Sequence, residues 1–155
     1  MDFSKFKTPD WLVIGGGLVV LIAGFLDWFK LSDSDVGANA FDYTLTGLIP
    51  WILIVGAAVL TFLLAGGIIK AGGAPWTLII LGATALGALL IIIRVLIGAD
   101  DVPDGLDVER AIGLWLSALG AIVAAAGAFM SYQASGGNVR DLTDMDKMKS
   151  AFKSQ

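Results

Sequence analysis

The side chains that could carry out chemistry are few, and most lie outside the apolar stretches of the chain. The sequence has no histidine and no cysteine, which excludes thiolate nucleophiles, imidazole acid–base catalysis and the usual zinc and haem ligands. Carboxylates cluster in DSDVG at 33–37 and in DDVPDGLD at 100–107. Neither segment supplies the ligand set of an EF-hand loop, so solvated acidic turns explain them better than a calcium site. No metal and no cofactor is predicted.

An enzyme is not expected, because no carboxylate lies in a recognisable pocket pattern and no nucleophile is placed beside a base. The charge that stands out is Arg94, in the apolar run ALGALLIIIRVLIGADD. Charges inside membrane segments usually face the protein interior and find a partner. Asp27 is expected at a similar depth, so we predict a buried Asp27–Arg94 ion pair. The alternative is that Arg94 extends to the lipid head groups while Asp27 ends a helix.

The elements that must position these residues are apolar helices. The chain of 155 residues is 57% hydrophobic and 15% charged, with a mean hydropathy of +0.83, which indicates an integral membrane protein. A helix that crosses the hydrocarbon core needs about 20 mainly apolar residues. Four segments qualify, and they define a domain at 1–135 with a polar tail at 136–155. The predicted spans are 11–29, 48–69, 76–97 and 111–132.

Basic residues set the predicted orientation, because Lys and Arg near helix ends are retained on the cytoplasmic side. Placing both termini and the turn at Lys70 inside leaves only Lys30, Arg94 and Arg110 outside. The other seven basic residues are then cytoplasmic. The sequence therefore predicts a multi-pass protein of the plasma (inner) membrane with cytoplasmic N- and C-termini.

Proline and tryptophan mark several predicted helix ends. Pro9, Pro50 and Pro75 each stand within two residues before a tryptophan, and proline is favoured in the first turn of a helix, where its missing N–H costs nothing. Tryptophan is enriched at membrane interfaces. Trp28 is expected to anchor the outer end of the first span in the same way.

Small residues form a continuous stripe along one face of the fourth span. They recur at steps of three and four, so they share one side of a helix. Transmembrane helices associate by close packing, which small residues permit, and the short connection after Lys70 requires antiparallel neighbours. The fold class is therefore all-α, an antiparallel four-helix membrane bundle. The stripe consists of Gly113, Ser117, Gly120, Ala124, Gly127 and Ser131.

The tail after Gly137 reads NVRDLTDMDKMKSAFKSQ and has the pattern of a short amphipathic helix. Its mixed charge is less basic than is usual for a helix that lies on a membrane surface. Docking to a protein partner is therefore slightly favoured over binding to the inner leaflet. The predicted docking residues are Leu142, Met145, Met148 and Phe152.

Three stretches together resemble a group of small four-span integral membrane proteins from actinobacteria: KFKTPDWLVIGGG, NAFDYTLTGLIPW and SGGNVRDLTDMDKMKSAF. The resemblance covers nearly the whole chain and implies a plasma membrane location. The group has no established activity to transfer.

Two functions are consistent with these features. The first is a non-enzymatic accessory or scaffolding subunit that uses its stripe and its tail to bind other membrane proteins or itself. The alternative is a protein that handles lipid or a small molecule, as part of a transporter for example. Membrane lipid is an expected partner in both cases, and nucleic acid is not expected in either.

Overall fold

Four α-helices form most of the described chain, which is 75% helical in a computed structural model. The structure describes residues 3–31, 37–70, 72–73, 75–98, 105 and 107–134. The helices are α1 (Thr8–Ala23), α2 (Ile49–Ala65), α3 (Trp76–Ile97) and α4 (Ile112–Ala134). The all-α prediction is confirmed at this level.

The four helices pack in a ring in which each helix runs antiparallel to its two neighbours. Helix α1 contacts α2 and α4, and α3 contacts the same two helices. The start of α2 meets the end of α1, where Trp51 Nε1 donates a hydrogen bond to the Leu21 carbonyl at 3.3 Å. The start of α4 meets the same end, because the Gly113 N–H donates to the Asp27 carbonyl at 3.0 Å. The helix ends therefore gather at two opposite poles.

Three of these elements are long and apolar enough to cross a membrane. They are Thr44–Ala65, which includes a π-helical turn at Thr44–Leu48, and the helices Trp76–Ile97 and Ile112–Ala134. Helix α1 has 16 residues, or about 24 Å at 1.5 Å per residue. It is too short to cover the span predicted at 11–29.

Helix α1 ends earlier than predicted because its last turn tightens. The Phe25 N–H bonds to the Ile22 carbonyl and the Leu26 N–H bonds to the Ala23 carbonyl, a three-residue spacing that closes an α-helix. Gly24 stands at this turn, where a Cβ atom would overlap the indole of Trp51. The absent side chain lets the start of α2 approach the end of α1.

A small antiparallel sheet covers one pole of the bundle, and the sequence patterns did not predict it. Strand β1 (Phe29–Leu31) lies between β2 (Gly37–Ala38) and β3 (Val108–Arg110). Phe29 is the Cα partner of Ala38 on one side and of Arg110 on the other. The sheet thus joins the α1–α2 connection to the α3–α4 connection. We call this pole the sheet end, and the opposite pole, where residues 3–10 and Ala134 lie, the terminal end.

Trp28 lies under the sheet and not at an exposed interface, so its predicted role as an outer anchor is wrong. Its side chain is fully buried, and its Nε1 donates to the Ala23 carbonyl at 3.1 Å. Buried indole N–H groups need such a partner. Trp28 packs with Val20, Ile54, Ile91 and Leu114 in the core beneath the sheet.

Candidate functional site

Arg94, the residue that the sequence singled out, is buried at the sheet end with 5% of its surface exposed. Its Nε donates to Thr46 Oγ1 at 2.6 Å, and its Nη1 donates to the Gly98 carbonyl at 2.9 Å. The guanidinium also lies over the Tyr43 ring, 4.3 Å from the ring centroid, within the range of a cation–π interaction. Arg94 therefore ties the end of α3 to the segment before α2.

The residues around Arg94 are positioned by two irregular backbone segments. Thr46 stands in the π-helical turn, in which the N–H groups of Gly47 and Leu48 both bond to the Tyr43 carbonyl at 2.8 Å. Gly98 ends α3 with φ 78° and ψ −160°, a conformation that is essentially restricted to glycine. Gly98 thus turns its carbonyl toward Arg94, one helical turn earlier in the chain.

The structure does not bring Asp27 and Arg94 together, and in the described residues they form no ion pair. Asp27 lies beyond the end of α1 and is exposed. Its carboxylate packs beside Gly37, where a Cβ atom would lie 2.6 Å from Asp27 Cγ. The prediction assumed that the helix continued through residue 27 and carried Asp27 on its inner face. The early end of α1 removes Asp27 from that face.

The small-residue stripe of α4 packs against α1 within the same chain. A Cβ atom on Gly16 would lie 2.6 Å from the Ala124 backbone nitrogen, and one on Gly120 would lie 2.8 Å from the Gly16 carbonyl oxygen. Gly127 approaches α1 as closely, because a Cβ atom there would lie 2.7 Å from the Pro9 carbonyl oxygen. All the stripe residues except Ser131 are buried. The stripe is therefore occupied by α1 and offers little surface to another protein.

Ser131, the last residue of the stripe, lines a cleft at the terminal end. The cleft has a volume of about 300 Å³ and receives side chains from all four helices. No motif in the sequence predicted it. The lining residues are Lys7, Pro9, Asp10, Val13, Thr61, Leu64, Ala65, Trp76, Thr77, Ile80, Ala128, Ser131 and Ala134.

The floor of the cleft is apolar apart from one hydroxyl. Val13, Ile80 and Ala128 lie four to six residues inside the helix ends at this pole and are buried. At 1.5 Å per residue, the floor is about 6–9 Å below the helix ends. Thr61 also reaches the floor, and its Oγ1 donates to the Ala57 carbonyl at 2.8 Å. That hydroxyl oxygen keeps its capacity to accept a hydrogen bond.

The rim of the cleft is polar, with one basic and one acidic residue. Lys7 is the N-cap residue of α1 and Asp10 lies in the first turn, and the Asp10 carboxylate accepts a hydrogen bond from the Lys7 backbone N–H at 2.9 Å. Thr77 and Ser131 add hydroxyl groups from α3 and α4. Within the described ranges, the rim therefore offers hydrogen-bond donors and acceptors with no net formal charge.

The chain before α1 packs against the bundle and so fixes the position of Lys7. Phe6 has 8% of its surface exposed, and its ring lies 5.1 Å from Trp11 and 5.8 Å from Phe62, between ring centroids. These contacts hold residues 3–7 over the end of α2. The first turn of α1 consequently stands at the mouth of the cleft.

The composition of the cleft resembles that of a small-molecule binding site. The cleft combines an apolar floor with a few polar groups, as small-molecule sites usually do. Among the described residues, no group of three or more His, Cys, Asp or Glu side chains could hold a metal ion. The sequence signal that could have indicated the cleft is modest. It consists of a polar residue within two turns of the same pole on each helix, namely Asp10, Thr61, Thr77 and Ser131.

Other predicted sites lie outside the described residues. The tail residues Leu142, Met145, Met148 and Phe152 all follow Ala134, the last residue described. Most of the acidic residues in the two connecting segments are also outside the described ranges, Asp107 being an exception. Tail docking therefore stays a prediction, and so does the interpretation of the acidic segments as solvated turns in preference to a calcium site.

Comparisons with protein families, with curated proteins and with solved structures found no match for this chain.

Proposed function

We propose that this chain is a non-enzymatic integral membrane protein that binds a small molecule or lipid in the cleft at its terminal end. The observation that carries the proposal is the cleft itself, to which every helix contributes lining side chains. Its volume of about 300 Å³ lies at the lower end of the range that is typical of ligand pockets. A cleft with an apolar floor and a polar rim is a ready binding site.

Membrane insertion is the second part of the proposal. Three elements have the length and hydropathy of membrane spans, and large apolar side chains are exposed along the outer faces of the bundle, among them Leu18, Leu89 and Leu119. Such faces favour lipid over water. In the orientation that the basic residues predict, the terminal end and its cleft face the cytoplasm.

The accessory-subunit prediction loses one of its two supports. The stripe on α4 was expected to bind a partner, but α1 fills it. The tail is the remaining support, and it lies outside the described residues. Ligand binding is therefore the better-supported function.

Native mass spectrometry of the protein, extracted from its own membrane in mild detergent, tests the proposal. We expect the wild-type chain to carry a discrete bound mass. Ser131→Phe and Ala65→Phe place a ring in the space of the cleft and should each remove that mass. Ala126→Phe is the matched control, because Ala126 lies on the same helix as Ser131 but is exposed and does not line the cleft. It should keep the bound mass.

Two results would contradict the proposal. One is a bare polypeptide under conditions that keep the bundle folded. The other is a bound mass that persists in both cleft variants, which would place the ligand elsewhere. A stoichiometric second polypeptide without a small ligand would favour the accessory-subunit alternative.

A further inference from the structure

The dimensions and charge of the cleft indicate what kind of molecule it holds. We infer that the ligand is a small, net-neutral amphiphile of about a dozen non-hydrogen atoms, bound with its polar group at the rim. This inference rests on the proposed function and narrows it to one class of ligand. Three observations carry it: the volume, the depth and the balance of charge at the rim.

The volume limits the size of the ligand. An engineered cavity of about 150 Å³ in another protein holds benzene, which has six carbon atoms. By that proportion, a cleft of about 300 Å³ admits roughly twelve non-hydrogen atoms. A complete membrane phospholipid is several times larger, so most of it would stay outside the cleft.

The depth supports the same limit. Val13, Ile80 and Ala128 close the floor about 6–9 Å below the helix ends. Half of a bilayer's hydrocarbon core is about 15 Å thick. The acyl chain of a membrane lipid is therefore too long for the cleft, whereas a short alkyl chain or one aromatic ring fits.

The rim selects against ligands with a net charge. Lys7 immediately precedes α1, Asp10 lies in its first turn, and both line the mouth of the cleft, so each attracts one sign of charge and repels the other at similar range. A charged ligand is therefore attracted by one residue and repelled by the other, so it gains no net attraction that offsets the loss of its hydration. An uncharged polar group does not have to give up the hydration of a charge, and it can exchange hydrogen bonds with the Ser131 hydroxyl. The arrangement thus favours an alcohol, an amide or a similar neutral group.

The apolar floor and the Trp76 side chain make burial of the ligand's apolar part favourable. Each methylene removed from water contributes about 0.8 kcal/mol, equivalent to roughly a fourfold gain in affinity. The gain should stop once the cleft is full. A series of ligands with increasing chain length can therefore show how long a chain the cleft accommodates.

Isothermal titration of the full-length chain in phosphatidylcholine nanodiscs provides this measurement. The probes are 1-hexanol, 1-octanol, 1-decanol and 1-dodecanol, and each is titrated into wild type and into Ser131→Phe. The difference between the two proteins removes partition into the bilayer. We expect affinity for the cleft to rise about fourfold per carbon at first and to stop rising before dodecanol. Octanoate and octylamine, which are charged at pH 7, should bind more weakly than octanol.

Each contrary outcome has a distinct meaning. A cleft-dependent affinity that still rises at dodecanol would overturn the size limit while leaving ligand binding intact. Tighter binding of octanoate or octylamine than of octanol would overturn the neutral class. Binding that emerges only when Leu142→Asp and Phe152→Asp are introduced into the full chain would make the tail the occupant, and would overturn the assignment. Identical titrations for wild type, Ser131→Phe and Ala126→Phe would refute the proposed function itself.

Discussion

The two poles of the bundle handle their polar groups in opposite ways. At the sheet end, Arg94 and Trp28 are buried, and their donors are bonded to a threonine hydroxyl and to backbone carbonyls. At the terminal end, Lys7, Asp10, Thr77 and Ser131 border open space. Buried polar groups that the chain itself satisfies stabilise a fold. Polar groups that border an open cleft can contact a ligand that enters it. This difference supports the proposal that a ligand binds at the terminal end, whereas the polar groups at the sheet end hold the fold together.

The largest loss of stability is expected at the contact between α1 and α4, which lies between the two poles. Gly16→Val should abolish the folded bundle or lower its stability by at least about 3 kcal/mol, because overpacking costs 1–3 kcal/mol even where neighbours can adjust. Here the added atoms meet the backbone of Gly120 and Ala124. Thermal unfolding in detergent measures the loss.

Gly15→Val is the control for that variant, because a Cβ atom on Gly15 meets nothing within 4 Å. It should unfold near the wild-type temperature. Equal losses of stability in Gly16→Val and Gly15→Val would mean that the helix propensity of valine, and not the α1–α4 contact, causes the loss.

Breaking the sheet end at Arg94 should have the next largest effect. Arg94→Leu removes the donors to Thr46 and Gly98 and the contact with Tyr43, so we expect a loss of about 2–4 kcal/mol from buried acceptors left unsatisfied. Arg94→Lys should fall between this variant and wild type, because it keeps a charge but loses the fork of donors. Hydrogen exchange at 29–31 and 108–110 should rise in parallel.

Asp27→Asn tests whether Arg94 depends on the contacts with Thr46 and Gly98 or on the predicted ion pair with Asp27. Asp27 is exposed and forms no ion pair with Arg94 in the described residues, so the variant should melt like wild type, within about 0.5 kcal/mol, as exposed substitutions usually do. A loss as large as that of Arg94→Leu would restore the ion pair.

Trp28→Phe should cost less than the loss of Arg94. The phenyl ring keeps most of the buried apolar contact but cannot donate to the Ala23 carbonyl. We expect a loss of about 1–3 kcal/mol, from one unsatisfied carbonyl and a small cavity. Trp51→Phe is the comparison variant, because Trp51 is only partly buried. A smaller loss of stability in Trp51→Phe would show that the contribution of each tryptophan depends on how deeply it is buried. Equal losses of stability in the two variants, measured by equilibrium unfolding, would contradict this dependence on burial.

The smallest effect on stability is expected at the terminal end. Ser131→Phe adds a ring to existing space, so the free energy of unfolding should change by less than about 1 kcal/mol, in contrast to overpacking in a filled core. The same variant should nevertheless lose ligand. A large loss of stability would show that the cleft is not open to a side chain, and would remove the contrast between the poles.

Much of the helical architecture could be predicted from sequence. The third predicted span, 76–97, coincides with α3, and the fourth differs from α4 by one or two residues at its ends. Apolar runs of this length form helices because every backbone hydrogen bond is satisfied within the segment. The first span could not be bounded in the same way. Nothing local to residues 24–29 shows that Trp51 will pack against Gly24 or that Phe29 will pair with Ala38 and Arg110.

The candidate sites were likewise predicted only in part. Arg94 was recognised as an important residue because a charge in an apolar run is conspicuous. Its partners were not found, since Thr46 is 48 residues away in sequence and Gly98 accepts through its backbone. The cleft was missed altogether, because a cavity is a property of the space between helices and leaves no periodic pattern on any one of them.

The sequence by itself determined that the chain forms apolar helices, that one face of the fourth helix allows close packing, and that metal and thiol chemistry by histidine or cysteine is absent. These properties depend on residue type and on spacing along a single helix. The tertiary structure decided which helix fills the stripe, where α1 ends, what Arg94 binds and where space remains open. Those outcomes depend on contacts between residues far apart in sequence, and only the packed arrangement of the four helices specifies them.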